Sequence, residues 1–359
     1  MKVIHVIEAL GGGVYTYFRN LSHFMGEDDS AQEIETFIIY SGKRKEIVPE
    51  NIRKEFSKNV TLIELEMERE FHPIKDLKAT LQLRKLFLEI KPDVIHLHSS
   101  KAGVIGRWAQ FLTFTKNSVF YTPHGYSFLR LDISNKRRNI YKLIEKYTQK
   151  IFGGITIACG DTEFEIAKTI GNSKLVRNGI DFKEISLKYY PQANKVLTFG
   201  IVGRITAQKN PKLFNKIALR YPNYNFIWIG DGELRSEITA KNISVTGWFY
   251  NTEDVYSWIN KIDVFLQTSL WEGLPLAVLE AMALKKPIAA TDIVGNKDIV
   301  QNGKNGFLFN SVDELDFILK ELQDNHLEMG GNSFDICAEN FDCFENFKGL
   351  VLIYQNSLR

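Results

Sequence analysis

The chain has 359 residues, more than a single hydrophobic core commonly holds, with 44% hydrophobic and 25% charged residues. That balance excludes a disordered, collagen-like or disulfide-scaffolded protein. Formal net charge is +2, too small to make nucleic acid a bulk electrostatic partner. No apolar run approaches the ~20 residues of a membrane-crossing helix, and the stretch 1–8 is too short for a secretory leader.

Strands are predicted at Lys2–Ile7, 36–40, 93–98, 119–122 and Ile155–Ala158, with helical patterns at 15–25, 74–90, 104–114 and Asn135–Phe152. Alternation of this kind indicates βαβ units and a parallel sheet. The run 189–195, polar and containing Pro191, reads as a linker. The alternation then restarts. Strands at 196–202, Asn225–Ile229, 244–247, Val264–Gln267, Ile288–Thr291 and Gly306–Phe309 are interleaved with helices at Pro211–Arg220, 253–260 and 275–284. The expectation is an α/β protein of two doubly wound, Rossmann-like domains facing each other across a deep cleft. They cover 1–188 and 196–340, and a final helix over 341–359 packs back toward the first domain. Ligands of such sheets sit at the carboxyl ends of the strands.

Cys159, Cys337 and Cys343 are odd in number and widely spaced, which suits a reducing cytoplasm better than a disulfide framework. Charge is uneven. Residues 1–190 carry 29 Lys and Arg against 23 Asp and Glu, and the remainder 16 against 20. Two domains with different neighbours are implied.

The segment 269–283 follows a strand and opens a helix behind Gly273 and Pro275. A helix start at a strand's carboxyl edge is an anion site for a phosphate. Glu272 and Glu280 beside it are acceptor-only carboxylates, suited to hydroxyls of a sugar and a ribose. Glu27 and Glu35 share that spacing without the strand, glycine or helix start, so spacing alone decides nothing. Segment 203–211 is likewise set between a strand and a helix. Its Arg204 and Lys209 can neutralise a diphosphate and the charge that grows on a departing one.

In the first half, Gly11–Gly13 after the opening strand let backbone approach a ligand, but no later glycine completes a dinucleotide fingerprint. His124, in Pro123-His124-Gly125 at a strand end, can exchange one hydrogen bond with a sugar hydroxyl. His96 and His98 share one strand face. A metal would need a third ligand that the sequence does not identify, so no metal is expected. His98, followed by 99–103, is expected to line the cleft. Arg138, Lys142, Lys146 and Lys150 recur every four residues on the helix Asn135–Phe152. They form a stripe that can dock on anionic lipid or simply be solvated, while Ile140, Leu143, Ile144 and Tyr147 are expected to bury the opposite face.

In this order and at these separations, the segments resemble the retaining glycosyltransferases of family 4, which have the GT-B fold. The resemblance runs from Gly11–Gly13 through 93–98, Pro123-His124-Gly125 and 177–181 to Gly203-Arg204 with Lys209. It continues through 229–232, 245–247 and Glu272-Gly273-Leu274-Pro275 with Glu280. It implies a transferase that moves a sugar from a nucleoside diphosphate, a UDP-sugar, to a glycan or polyprenyl-linked acceptor in bacterial surface polysaccharide synthesis. Such an enzyme would be cytoplasmic or peripheral on the inner membrane face.

By that resemblance Glu272 binds donor-sugar hydroxyls, Glu280 the ribose, and Arg204 and Lys209 the diphosphate, while His124 contacts the donor sugar. Gly12, Gly13, Gly203, Gly273, Leu274 and Leu276 complete the phosphate cradle, Gly247 lies by the base, and His98 and Asn178 face the acceptor. It also implies front-face attack with retention and no divalent metal or other cofactor. One departure is that Gly13-Val14-Tyr15 lacks the His or Glu often found after such glycines. Two rivals remain at this stage. A nucleotide-sugar epimerase on the same fold would need acid and base groups near the sugar's second carbon, which the sequence does not place. A non-catalytic binding subunit would not need the complete motifs.

Overall fold

The computed structural model describes residues 1–8, 10–42, 49–68, 71–249 and 251–358. The chain divides into two compact units: Met1–Leu129 with Ser134–Asn178 and Cys343–Arg359, and Arg130–Ile133 with Gly179–Asp342.

Unit 1 holds a seven-stranded parallel sheet. In chain order its strands are β1 Lys2–Ile7, β2 Glu35–Tyr40, β3 Thr61–Glu64, β4 Val94–His98, β5 Ser118–Thr122, β6 Ile155–Ala158 and β7 Ser173–Leu175. Spatially they run β3-β2-β1-β4-β5-β6-β7, so the order reverses between β1 and β4, where doubly wound sheets bind ligands. β4 is buried along its whole length, as a strand covered on both faces must be. β3 and β7 are absent from the sequence expectation. Both are edge strands of mixed burial and carry neither an apolar run nor clean alternation. The final helix, Cys343–Ser357, packs on the helix Gly13–Glu27, and Phe347 meets Tyr17 and Phe24 at 5.4 and 5.5 Å between ring centroids.

Two expectations change here. A helix begins at Ser100, so residues 100–103 are its first turn and not a cleft-lining loop. Helix Asn135–Phe152 has the expected bounds but the opposite orientation. Its buried residues are Glu145, Thr148 and Gln149. Ile140, Leu143, Ile144 and Tyr147 are exposed by 45, 50, 42 and 54%. Polar partners beneath the helix explain the inversion. Ser100 Oγ and Tyr121 OH each donate to Glu145 Oε1 at 2.8 Å, and Gln149 bonds Thr156 Oγ1 and the Asn172 carbonyl.

Unit 2 holds six parallel strands: β8 Thr198–Val202, β9 Asn225–Ile229, β10 Ile243–Val245, β11 Val264–Gln267, β12 Ile288–Thr291 and β13 Gly306–Phe309. Their order is β10-β9-β8-β11-β12-β13, reversing between β8 and β11. The core gathers Phe199, Ile201, Phe214, Trp228, Leu266 and Leu322, all 1% exposed or less. A buried Trp needs a partner for its indole N–H; Trp228 Nε1 donates to the Gly203 carbonyl at 2.8 Å. The core is thereby tied to the loop that leaves β8.

The expected linker 189–195 lies within unit 2, because polar anchors hold it there. The Tyr190 N–H donates to Asn260 Oδ1, and the Asn194 amide reaches the Lys261 carbonyl and Asp263. The units divide at Asn178/Gly179 and at Asp342/Cys343. Among the described residues no helix is long and apolar enough to cross a membrane, and all three cysteines are buried and outside any disulfide.

Candidate active site

In unit 2, two loops leave the carboxyl ends of β8 and β11, the strands flanking the reversal. They are stitched together: the Leu270 N–H donates to the Gln208 carbonyl and Thr268 Oγ1 to the Lys209 carbonyl, at 2.8 and 2.7 Å. Between them lies Glu272, 7% exposed. Its Oε1 accepts from Lys209 Nζ, Ser269 Oγ and Gln267 Nε2 at 2.8, 2.7 and 3.1 Å, and its Oε2 accepts from Gln208 Nε2 at 3.1 Å. A buried carboxylate is tolerated when it is paired and hydrogen-bonded in this way. One proton of the Lys209 ammonium points at Glu272, and its other donor sites can serve an anion. Arg204 is half-buried in the same loop.

Helix Leu276–Ala283 starts beside this pair. Pro275 is its N-cap, not its first helical residue, and no side chain caps the end. The helix dipole and N-terminal N–H groups therefore favour an anion there. Leu274, Leu276 and Glu280 are buried along it. Gly273 is held in place by Gly295, whose φ is +85°. A Cβ on Gly295 would stand 2.1 Å from the Gly273 carbonyl oxygen. Gly203 (φ +137°) is similarly close-fitted, since a Cβ there would stand 3.0 Å from Lys209 Cε. Gly247 follows β10, and the neighbouring Trp248 is 55% exposed.

In unit 1, Gly12 is the N-cap of helix Gly13–Glu27 at the end of β1. His98 ends β4 and His124 follows β5. His98 Nδ1 meets His124 Nε2 at 3.0 Å, and His98 Nε2 meets His5 Nδ1 at 3.0 Å. His98 has no exposed surface. With both nitrogens on imidazoles it stands behind His124 as a support, which corrects its expected place as an acceptor contact. His124 is half-buried with φ +52°. Its turn is pinned by Glu163, whose two oxygens accept from the Gly125 and Cys159 N–H groups at 2.8 Å each. Asn178, also buried, ends this part of unit 1, its N–H on the Cys159 carbonyl at 2.8 Å.

The third imidazole that the sequence did not identify is His5, paired with His96 across β1 and β4. His5, His96 and His98 hold ring nitrogens within 4.8 Å of one another. Hydrogen bonds engage both nitrogens of two of them: His98 as above, and His96 on Thr122 Oγ1 at 2.8 Å and on the Tyr354 hydroxyl. Burial holds all four histidines neutral. His5 is pushed down to about 3 and His124 to about 4, and His96 and His98 lie well below the ordinary value, first by burial and then by neighbouring imidazoles. The geometry is that of a hydrogen-bonded imidazole chain ending at His124. A neutral chain runs one way or the other. His5 Nε2 is buried without a partner, and a buried orphan N–H is the costlier orphan. The chain therefore runs from His5 to His98 to His124, leaving Nδ1–H of His124 as a donor. His5 and Glu163 escaped the sequence reading; only the identical spacing of His5 and His96 within their strands hinted at the former.

The family model "Glycosyl transferases group 1" matches residues 196–324, and "Glycosyl transferase 4-like" matches 46–154. The chain is 32% identical over 281 residues to an Escherichia coli UDP-Gal:alpha-D-GlcNAc-diphosphoundecaprenol alpha-1,3-galactosyltransferase, covering 68% of this chain and 69% of that protein. It is 27% identical over 277 residues to the capsular polysaccharide biosynthesis glycosyltransferase CapM of Staphylococcus aureus, covering 67% and 70%. Its fold matches that of Anabaena Alr3699/HepE in complex with UDP, with TM-score 0.76, 15% identity and coverage of 99% and 100%. It also matches sucrose-phosphate synthase from Thermosynechococcus elongatus, with TM-score 0.79, 14% identity and coverage of 99% and 98%. Sequence kinship over two thirds of the chain, and two parallel-sheet units with a charged pair at the strand ends, lead to one conclusion: the chain is a glycosyltransferase of family 4, with the GT-B fold.

Proposed function

We propose that the protein transfers a hexosyl or N-acetylhexosaminyl group from a UDP-sugar to a glycan or polyprenyl-linked acceptor in bacterial surface polysaccharide synthesis, at the cytoplasmic membrane face. The observation that carries this is the Lys209–Glu272 pair beside the uncapped start of helix Leu276–Ala283. A cation and a helix terminus meet the diphosphate, and a buried carboxylate beside them meets hydroxyls. The galactosyltransferase and capsule relatives support donor and acceptor class.

In this reading Lys209, Arg204 and the helix start stabilise the charge that grows on the departing diphosphate. Gly203, Gly273, Leu274 and Leu276 shape the cradle, with Gly12 and Gly13 contributing backbone from unit 1. Glu280 takes the ribose, and Gly247 with Trp248 borders the base. Glu272 Oε2, with one protein donor, accepts from the sugar, and His124 Nδ1–H donates to it. His98 and His5 position that donor, and Asn178 is assigned to the acceptor side. Reaction proceeds with retention by front-face attack, a departing phosphate oxygen taking the acceptor proton. Charge on the diphosphate is met by side chains and backbone without a divalent metal.

The test is release of UDP from UDP-sugars in the presence of membrane-extracted acceptor. Glu272→Gln and Lys209→Met are each expected to lower turnover about 10²–10³-fold and to unfold at a lower temperature than wild type while still folding, since each leaves a largely buried charge without its counter-ion. Glu272→Ala is the harsher variant, because it also removes the acceptor atoms for Lys209, Ser269, Gln267 and Gln208. Near-wild-type turnover in both conservative variants would overturn the assignment. Interconversion of sugar nucleotides without acceptor would turn the reading to an epimerase.

A further inference from the structure

Helix Asn135–Phe152 presents the wrong face to solvent for a soluble protein. Ile140, Leu143, Ile144, Tyr147 and Ile151 are 42–65% exposed. At 3.6 residues per turn they share one stripe about 100° wide. The stripe does not end with the helix. Phe152 packs against Trp108 and Phe111 at 5.3 and 5.5 Å, and Phe111 against Phe114 at 6.4 Å. Trp108, Phe111 and Phe114 are themselves 49, 55 and 84% exposed. Helix Ser100–Phe111, which carries the first two, packs in turn on helix Pro73–Ile90. There Ile74, Leu77 and Leu81 line an open groove of about 360 Å³ with Lys78, Gln82 and Lys85. Helices Asn135–Phe152 and Ser100–Phe111 thus share one exposed apolar surface, joined through Phe152, of a kind that soluble monomers seldom leave uncovered.

Charge identifies the occupant. Helix Asn135–Phe152 carries six Lys and Arg and one acid, Glu145, which is buried. All the charge it shows to solvent is therefore positive. Lys146 and Lys150 are exposed and flank one edge of the apolar stripe, whereas Lys142 lies farther round the helix, its Nζ 6.0 Å from the Phe128 ring centroid. Arg138 stands apart, its Nε on the Phe128 carbonyl at 2.9 Å. A second copy docked by two-fold symmetry would set like charges against each other. An apolar stripe bordered by lysines and continuous with an exposed Trp matches the polar–apolar boundary of a bilayer with anionic headgroups.

We propose that unit 1 lies on an anionic bilayer with the 140–151 stripe and the Trp108, Phe111 and Phe114 cluster inserted below the headgroups, while Lys146 and Lys150 hold lipid phosphates. Insertion of the apolar face, and not the basic stripe alone, holds the protein there. The contact would bring a lipid-linked acceptor within reach; only that purpose rests on the proposed function, and the contact itself does not.

The test is flotation of the purified chain with vesicles of phosphatidylcholine containing about 30 mol% phosphatidylglycerol, at low salt and at about 0.5 M salt, where exposed charges are screened within a few ångströms. Wild type is expected to float in both, more weakly at high salt. The variant Leu143→Gln/Ile144→Gln/Tyr147→Gln, at exposed positions that folding does not require, is expected to lose at least tenfold in partitioning in both. Lys146→Gln/Lys150→Gln is expected to lose most of its preference for the anionic lipid while keeping residual binding to it. Flotation abolished by salt and untouched by the apolar variant would overturn insertion. So would failure of wild type to float, whether as a monomer or as a dimer that the apolar variant dissociates. A UDP-induced rise in unfolding temperature is measured in all variants. Its absence would count against the donor site and leave the bilayer contact standing.

Discussion

Glu272 accepts four hydrogen bonds from four side chains while almost fully buried. Its neighbours in sequence, Gln267 and Ser269, and its partners in the loop after β8, Gln208 and Lys209, exist largely to keep that charge in place. Glu272 and Lys209 stood out in the sequence because each follows a strand end in a loop that precedes a helix; Gln208, Gln267 and Ser269 did not, since nothing in the sequence shows that their side chains turn toward Glu272. The imidazole chain did not stand out either. His5 and His98 are brought together by parallel pairing across 92 intervening residues, and Glu163 reaches the His124 turn from a helix one crossover later. These four histidines, three of them buried and His124 half-buried, carry a consequence for stability. In the unfolded chain each titrates near 6.5. Folded, His5 and His124 stay neutral down to about 3 and about 4. Between about pH 6.5 and 4 the unfolded chain therefore binds more protons, and stability falls as pH is lowered through that window. The slope is up to about 1.4 kcal/mol per pH unit for each histidine. Urea midpoints at pH 7, 6 and 5 are expected to drop steeply, with a shallower slope in His5→Asn. A flat profile down to pH 5 would contradict the neutral chain.

Among the elements, the loop 269–275 depends on a glycine that no motif pointed to. Gly295→Ala forces a Cβ into the Gly273 carbonyl at 2.1 Å and a side chain onto φ +85°. A loss of about 1–3 kcal/mol is expected from strain, together with a large fall in turnover as Gly273 is displaced. Gly303→Ala is the control: its φ is +77°, but nothing lies within 4 Å of the added carbon. It should lose stability and keep its activity. Equal activity in the two variants would show that Gly295 does not place the site. Most elements were readable from period and punctuation. Those that were not share a cause. β3 and β7 are short edges whose side chains are only half covered, so no apolar run marks them. Helix Asn135–Phe152 was readable as a helix, yet its buried face was misassigned. Apolar spacing names a stripe, and only Ser100, Tyr121 and Thr156 beneath it reveal that the polar side goes inward.

At the scale of the molecule, two sheets each reverse strand order once, and each reversal carries part of the candidate chemistry. That division was visible as a pattern that restarts, but the residues at which the chain passes from one unit to the other were not. The run 189–195 looks like a linker because it is polar, and those polar groups are what bind it to unit 2. Donor binding by unit 2 is the central claim, and a thermal-shift panel of UDP, GDP, ADP and CMP on wild type and Glu280→Ala tests it most directly. A nucleotide at about 100 times its dissociation constant adds about 2.7 kcal/mol to stability. A clear upward shift with UDP alone, diminished in Glu280→Ala, is the expected result. No shift with any of the four, or a UDP shift of the same size in Glu280→Ala, would contradict the donor site described above.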